Sequence, residues 1–163
     1  MITQQELHDV LEYNKDTGNF VWKVTVNYNS IKGSIAGTSD NLGYIAIKIK
    51  GKRYLAHRLV WIYVYGTLPN SVLDHVNGIP YDNRLDNLRL ATASENCRNC
   101  KTRIDNTTGI KNVGWSKAYE KYVVRVKINN KSKHIGYFEN IEDANKAAIE
   151  AREKYHGEFA NHG

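Results

Sequence analysis

The sequence predicts an α+β protein built from two parts, and three observations support this prediction. A strand–turn–strand–helix pattern occupies residues 72–99, and three strand-like runs followed by one helix occupy residues 109–163. Between them, residues 101–108 are polar and poor in apolar side chains. We therefore expect a first domain at 1–100, a linker at 101–108, and a second domain at 109–163 in which one helix backs a three-stranded antiparallel sheet.

The first part is predicted to begin with a short helix. Thr3 and Glu6 have the spacing of a capping box, and Leu7, Val10 and Leu11 follow at helical spacing, which predicts a helix to about Tyr13. Strands are predicted at 20–22, 44–49 and 53–56, a loop at 27–41, and a helix at 57–65 that ends at Gly66.

Residues 72–99 contain the densest cluster of chemically useful side chains. Asp74 and His75 end a short strand, Asn87 precedes the returning strand, and Asn96 follows a second capping-box pattern at residues 92–95. Hydrolysis of a phosphodiester needs an activated water, which a histidine can supply, and a counter-charge, which a hard divalent cation with oxygen ligands can supply. Taken singly, the same aspartate and asparagines also fit turns and helix caps.

The spacing of this cluster resembles that of a known family. Asp74-His75, then eleven residues, Asn87, then eight residues, and Asn96 resemble the motif of HNH nucleases, which have the ββα-metal fold. The flanking residues 57–61 and 87–92 resemble those of phage and mobile-intron members. The resemblance implies that His75 is the general base, that Asp74 and Asn96 are metal ligands, and that Asn87 holds His75 in its working pose.

The same resemblance suggests further residues around the site. Asn83 would support the catalytic residues, and three arginines would contact phosphate, namely Arg58, Arg84 and Arg89. His57 would either face the scissile phosphate or form a structural hydrogen bond within the fold.

The positive charge of the chain is concentrated in one segment. The net charge is +6, and residues 108–138 hold seven Lys or Arg against Glu120 alone, whereas residues from 139 onward hold three bases and six acids. Such a segment favours a polyanionic partner. Period-two alternation places Arg125 and Lys127 on the face opposite Val124 and Val126. Lysines that merely solvate an exposed sheet face would give a similar pattern.

Residues 109–161 resemble the plant ethylene-response-factor (APETALA-type) DNA-binding domain, known as an attachment on phage HNH endonucleases. The resemblance rests on residues 114–117, 121–126, 134–138 and the helix 144–155. It departs at Tyr122, where Trp is usual, and at Val124, where Ala is usual. It implies a sheet that enters the major groove of duplex DNA. The candidate DNA-binding residues are Trp115, Lys117, Arg125, Lys127, Lys131, Lys133 and His134.

Composition limits the cellular setting and the cofactors. No apolar run reaches the roughly 18 residues that a membrane span needs, and no secretion signal is visible. We therefore expect a cytoplasmic protein, and the resemblance to phage and mobile-intron nucleases implies that it is phage-encoded or bacterial. Cys97 and Cys100 form one CxxC pair without a second pair, so zinc is not expected.

The sequence thus predicts an HNH endonuclease of the homing type, acting on double-stranded DNA as a monomer or homodimer. It would use one Mg²⁺ or Mn²⁺ ion and leave a 5′ phosphate and a 3′ hydroxyl. Two alternatives remain open at this point: a non-catalytic DNA-binding protein that retains the fold, and an RNA-cleaving nuclease of the same fold.

Overall fold

A computed structural model describes residues 2–100, 102, 105–128 and 131–163. The protein is of the α+β class, as predicted, with small antiparallel sheets and four α-helices in the described residues. Contacts divide it into two compact units, Met1–Ala91 and Thr92–Gly163. The predicted linker lies partly outside the described residues, at Lys101, Arg103 and Ile104. No helix among the described residues has the length and apolar character needed to cross a membrane.

The first unit contains two helices and three small antiparallel sheets. Its elements are α1 (Gln4–Val10), β1 (Leu11–Tyr13), β2 (Phe20–Trp22), β3 (Thr38–Ser39), β4 (Ile45–Ile49), β5 (Lys52–Leu55), α2 (Ala56–Tyr65), β6 (Val72–His75) and β7 (Leu88–Ala91). The sheets have the orders β1-β2, β3-β4-β5 and β6-β7.

Helix α1 is shorter than predicted. Its capping box at Thr3 and Glu6 is present, but the helix ends at Val10, and residues 11–13 form a strand paired with β2. The apolar residues Leu11 and Tyr13 fit an alternating pattern as well as a helical one. The pairing of Leu11 with Trp22 across the hairpin makes residues 11–13 a strand and not the last turn of the helix.

The core of the first unit supports the β6–β7 hairpin. Leu7, Phe20, Ile47 and Leu59 are almost completely buried, and Leu88 from β7 belongs to the same cluster. Helix α2 ends, as predicted, at Gly66, whose φ of 81° lies in the left-handed region. Burial of one face of the hairpin fixes its register, because a slip by one residue would expose its apolar side chains.

The second unit consists of a short helix followed by a sheet and a long helix. Its elements are α3 (Ala93–Arg98), β8 (Val113–Ser116), β9 (Lys121–Ile128), β10 (Lys131–Phe138) and α4 (Ile141–His156). The strand order is β10-β9-β8, all antiparallel, and α4 packs on the sheet through Ala144 and Ala148 against Val113 and Val124. The predicted sheet backed by one helix is therefore confirmed.

Strand β10 begins at Lys131, three residues earlier than predicted. The added residues, Lys131, Ser132 and Lys133, are polar and exposed. They carry no apolar alternation to signal a strand, but charged side chains are usual on an edge strand such as β10.

Candidate active site

The β6–β7 hairpin positions Asp74 and His75 next to each other on one strand. Asp74 pairs with Arg89 and His75 with Leu88 across the two antiparallel strands. Both side chains are buried, with 4% of Asp74 and 5% of His75 exposed. Since successive side chains leave a strand on opposite sides, the carboxylate and the imidazole face different surroundings.

His75 is held by Asn83. Its Nε2 lies 3.2 Å from Asn83 Oδ1, and Asn83 Nδ2 donates to the backbone carbonyl of Tyr81 at 3.1 Å. The second contact fixes the amide so that its oxygen faces the imidazole. Nε2–H therefore donates a hydrogen bond to Asn83 Oδ1, and Nδ1 is the basic nitrogen of the neutral ring.

Burial lowers the pKa of His75, while the hydrogen bond to Asn83 and the charge of Asp74 partly oppose this shift. The imidazole is therefore neutral at neutral pH, which is the form that a general base needs.

Asn83 itself is anchored by the first hairpin of the chain. The hydroxyl of Tyr13 donates to the carbonyl of Asn83 at 2.9 Å. Gly18, with φ of 75°, lies so close that a Cβ atom there would come within 2.7 Å of the Asn83 carbonyl carbon. Neither Tyr13 nor Gly18 was identified from the sequence, because no local sequence pattern indicates a contact such as that of Tyr13 with Asn83, 70 positions away.

Asn87 braces the loop that joins the two strands. Its Oδ1 accepts from the backbone N–H of Asn77 at 3.0 Å, and its Nδ2 donates to the carbonyl of Asp82 at 2.7 Å. The side chain thus connects both ends of the loop that carries Asn83. The predicted role of Asn87 in the pose of His75 remains a prediction.

Asp74 forms an ion pair with Arg89. Nε and Nη2 of the guanidinium each lie 2.8 Å from Asp74 Oδ2, and both side chains are largely buried. Arg89, predicted to contact phosphate, therefore lies beside the predicted metal-ligating carboxylate.

His57 and Tyr44 form the aromatic surroundings of His75. The ring centroids of His57 and His75 are 5.1 Å apart, edge to face, and the Tyr44 ring lies 5.5 Å from His57 and 5.9 Å from His75. Burial, and then the charges of His75 and Arg58, lower the pKa of His57 to about 4. His57 is therefore neutral at neutral pH. Tyr44 was missed in the sequence because it reads there as an ordinary strand residue.

The remaining arginines of the first unit are exposed. Arg58 is exposed at the edge of a cavity of about 220 Å³, which is also lined by Leu55, His57 and Leu73. Arg84 is exposed as well and pairs with Asp82 at 2.7 Å, which lowers the pKa of Asp82 to about 2. An exposed guanidinium has the donors that a phosphate needs.

Asn96, the second predicted metal ligand, lies in α3 of the second unit. The predicted capping box of this helix is present, with Thr92 and Glu95 each accepting a hydrogen bond from the other's backbone. The ligand role of Asn96 remains a prediction.

The donor set of the predicted metal site is compatible with a hard cation. No three His, Cys, Asp or Glu side chains converge in the part of the chain that the structure describes. Asp74 and Asn96 would supply one carboxylate and one amide oxygen, so water and substrate phosphate would have to complete the shell. Mg²⁺ and Mn²⁺ accept such a shell, whereas a structural zinc site needs four protein ligands.

The sheet of the second unit divides the predicted DNA-binding residues between its two faces. Directly paired residues of antiparallel strands share a face. Arg125 pairs with His134, which places both, together with Lys127, on the face opposite Val124. We call this face, away from α4, the open face.

Three other candidates lie on the face that packs against α4. Trp115 pairs with Tyr122, Lys131 with Ile128, and Lys133 with Val126. Lys133 Nζ also donates to the hydroxyl of Tyr155 in α4 at 3.0 Å. Lys117 follows the end of β8 and is exposed.

Two exposed tyrosines lie beside the candidates of the open face. Tyr137 pairs with Val123 on that face, and its ring centroid lies 4.7 Å from that of His134 and 4.5 Å from that of Tyr119. Tyr119 is 61% exposed. Exposed aromatic rings beside cations are suited to contacts with bases and sugars. Alternation along β9 identified Arg125 from the sequence. Tyr137 lies on the same face, but finding it requires the register between β9 and β10, which the sequence does not give.

The strand–loop–strand unit thus carries a buried histidine next to a buried carboxylate. Comparisons with known proteins concern the same stretch. Residues 54–98 match the model of the family described as HNH endonuclease.

The chain is also 35% identical over 105 residues to Protein 3.8 of Escherichia phage T7, an alignment that covers 64% of this chain and 86% of that protein. It therefore belongs to the same family as Protein 3.8. A solved structure concerning DNA binding and cleavage by the HNH homing endonuclease I-HmuI matches with a TM-score of 0.43 and 21% identity, covering 90% of this chain and 85% of that one.

Proposed function

We propose that this protein is a metal-dependent DNA endonuclease of the HNH homing or nicking type. The observation that carries the proposal is the buried His75, whose Nε2 is held by Asn83 and whose strand neighbour is the buried Asp74. The match of residues 54–98 to HNH endonucleases covers both residues. A neutral histidine with a fixed tautomer is the group that activates a water at neutral pH.

In the proposed reaction, His75 accepts the proton of the attacking water through Nδ1. Asn83 keeps the imidazole oriented and stabilises the imidazolium that forms, because its amide oxygen accepts from Nε2–H. Asn87 maintains the loop on which Asn83 sits. The water attacks phosphorus, the bond to the 3′ oxygen breaks, and the products carry a 5′ phosphate and a 3′ hydroxyl.

One divalent ion, Mg²⁺ or Mn²⁺, would be held by Asp74 and Asn96. When bound, it would supply positive charge for the developing negative charge on the phosphate and the leaving oxygen. Arg89 contributes charge at the same carboxylate, and Arg58 and Arg84 are exposed for contact with neighbouring phosphates.

The second unit would bind duplex DNA through its sheet, in the manner of the APETALA-type domains that it resembles. Arg125, Lys127 and His134 on the open face, with the nearby Tyr137, support this assignment. The lysine-rich composition of strands β9 and β10 supports it on electrostatic grounds.

The first experiment is a plasmid-cleavage assay of the wild type and of the His75→Ala variant, with Mg²⁺ or Mn²⁺ and with a chelator. Loss of a general base typically costs about 10² to 10⁴-fold in rate, so cleavage by the variant should fall to background while its affinity for duplex DNA persists. His162→Ala, which removes an exposed histidine of the second unit, is the matched control and should cleave normally.

Full activity of His75→Ala would refute the mechanism. Absence of cleavage by the wild type with either metal, together with retained duplex binding, would instead favour a non-catalytic DNA-binding protein. Preferential cleavage of RNA over duplex DNA would favour an RNA nuclease of the same fold.

A further inference from the structure

We propose that the N-terminus of helix α2, with His57 and Arg58, forms a binding site for the DNA phosphate next to the scissile one. The site is the cavity of about 220 Å³ at whose edge Arg58 lies. The proposal rests on the proposed nuclease function for the position of this phosphate relative to the cut. Its ligands can be tested without cleavage, because DNA binding is measured separately.

The first turn of α2 has the donors and the electrostatic character of an anion site. The helix has ten residues and begins at Ala56, and its first backbone N–H groups have no acceptor within the helix. Leu55, in the N-cap position, offers no side-chain acceptor, and no acidic residue in the first turn offsets the helix dipole. Because Leu55, His57 and Arg58 all line the cavity, the positive end of the helix lies at it.

His57 is a second and independent indication of a ligand. The residue is only 7% exposed, yet its side chain forms no hydrogen bond within the described part of the chain. Its contacts are with the rings of Tyr44 and His75. A neutral imidazole carries one N–H donor, and burial of such a donor without an acceptor is unfavourable. A phosphate oxygen in the cavity that His57 lines would supply the missing acceptor.

The rest of the cavity wall also fits a sugar–phosphate group. The guanidinium of Arg58 and the hydroxyl of Ser71 are donors to phosphate oxygens, and none of the described residues that line the cavity is acidic. Leu55, Pro69 and Leu73 form an apolar part of the wall, which suits the carbon atoms of an adjoining sugar. Given that a water occupies about 30 Å³, the cavity accommodates one phosphate group and a few waters.

The cavity adjoins the candidate general base. The ring of His57 lies edge to face with that of His75, with centroids 5.1 Å apart. Leu73, which lines the cavity, leaves β6 on the same side as His75, because side chains two residues apart in a strand share a face. Two residues span roughly 7 Å of strand, a length similar to the step between successive phosphates of one DNA strand. A phosphate in the cavity would therefore be one nucleotide away from the phosphate that is attacked beside His75.

A scan with neutral phosphate analogues tests the site. A methylphosphonate, in which a methyl group replaces one charged oxygen, is placed at each position in turn of a duplex whose cut site has been mapped. The affinity of the wild type for each duplex is measured by fluorescence anisotropy in the presence of a chelator, so that no duplex is cut. We expect a loss of about tenfold at the phosphate next to the scissile one, the value of one charge-assisted hydrogen bond.

Two variants identify the ligands of this phosphate. Arg58→Gln removes an exposed guanidinium, and His57→Phe keeps a ring of similar size but removes the N–H donor. In each variant the methylphosphonate at this position should cost only about twofold or less, because the interaction that it disrupts is already missing. Lys32→Gln, which removes an exposed cation from the loop of residues 27–41, is the matched control and should keep the tenfold loss.

An unchanged loss in Arg58→Gln or in His57→Phe would overturn the proposal. A wild type whose affinity falls at neither phosphate adjacent to the cut, or only at the scissile phosphate, would overturn it as well. Failure of the nuclease function is distinguishable from these results. If the wild type binds duplex DNA but does not cut it with Mg²⁺ or Mn²⁺, a loss at one phosphate that both variants abolish would still establish the phosphate site.

Discussion

His75 shows how the chemistry of a single residue depends on its partner. The imidazole has two nitrogens, and a general base needs a defined one of them unprotonated. Asn83, held by its own hydrogen bond to the Tyr81 carbonyl, accepts from Nε2, which leaves Nδ1 as the nitrogen that would accept a proton from water in the proposed reaction. Burial and this hydrogen bond act on the pKa of His75 in opposite directions, and burial is the larger effect.

We predict that Asn83→Ala slows cleavage by about 10 to 100-fold, the usual effect of removing a group that orients a catalytic or ligating histidine. It would also lower the pKa of His75 further, since the bond to Asn83 raises that pKa. The pKa should be measured by NMR titration of the His75 ring protons. If Asn83 had a purely structural role, the pKa of His75 would be the same in the variant and the wild type.

Asn83→Asp is the matched variant for this experiment. It keeps the size of the side chain but places a negative charge beside Nε2, so the pKa of His75 should rise instead of fall. Shifts of the same sign in both variants would contradict the assigned contact.

At the scale of the element, features that depend on neighbouring residues could be predicted from the sequence, whereas features that depend on pairing between distant segments could not. The capping boxes at Thr3 and Thr92 and the alternation of β9 depend on neighbouring residues, and all three are present. Leu11 satisfies both a helical and a strand pattern, so only its pairing with Trp22 defines it.

The surroundings of the candidate site were predictable to a similar extent. The positions of Asp74 and His75 on a strand of the hairpin follow from their local pattern. The contact of Tyr13 with Asn83, the close approach of Gly18 and the tilted ring contact of Tyr44 with His75 join segments far apart in the sequence. Neither periodicity nor a local motif encodes such contacts, because they depend on how the sheets pack.

Register also separates cations that the sequence treats alike. Arg125 lies on the open face of the sheet, whereas Lys133 lies on the face of α4 and donates to Tyr155. We predict that Arg125→Gln weakens binding to duplex DNA severalfold and reduces the slope of log K against log salt by about one, the effect of one lost phosphate contact.

Lys133→Gln removes one positive charge from the same sheet and serves as the control. Its DNA affinity should remain close to that of the wild type when both are measured by fluorescence anisotropy over a range of salt concentrations. A larger loss of affinity in Lys133→Gln than in Arg125→Gln would show that DNA does not bind the open face.

At the scale of the whole molecule, three buried histidines link stability to pH. Burial lowers the pKa of His57, His75 and His156 in the folded protein, and His57 reaches about 4. The unfolded chain, in which histidine titrates near about 6.5, therefore binds more protons than the folded protein below that pH. The contribution of these groups to stability is complete above pH 6.5 and decreases as the pH falls.

We predict that the free energy of unfolding declines between pH 6.5 and 4.5. The carboxylates of Glu6 and Asp82, with pKa values of about 2, add to the loss of stability only at lower pH. His57 alone would account for roughly 3.5 kcal/mol over its whole titration, since its pKa falls from 6.5 to about 4 and one pKa unit corresponds to about 1.4 kcal/mol. Urea denaturation of the wild type and of His57→Gln over this range measures the effect. The variant has one titrating group fewer, so its stability should depend less steeply on pH. An equal slope in both proteins would show that His57 is protonated to the same extent in the folded and unfolded states.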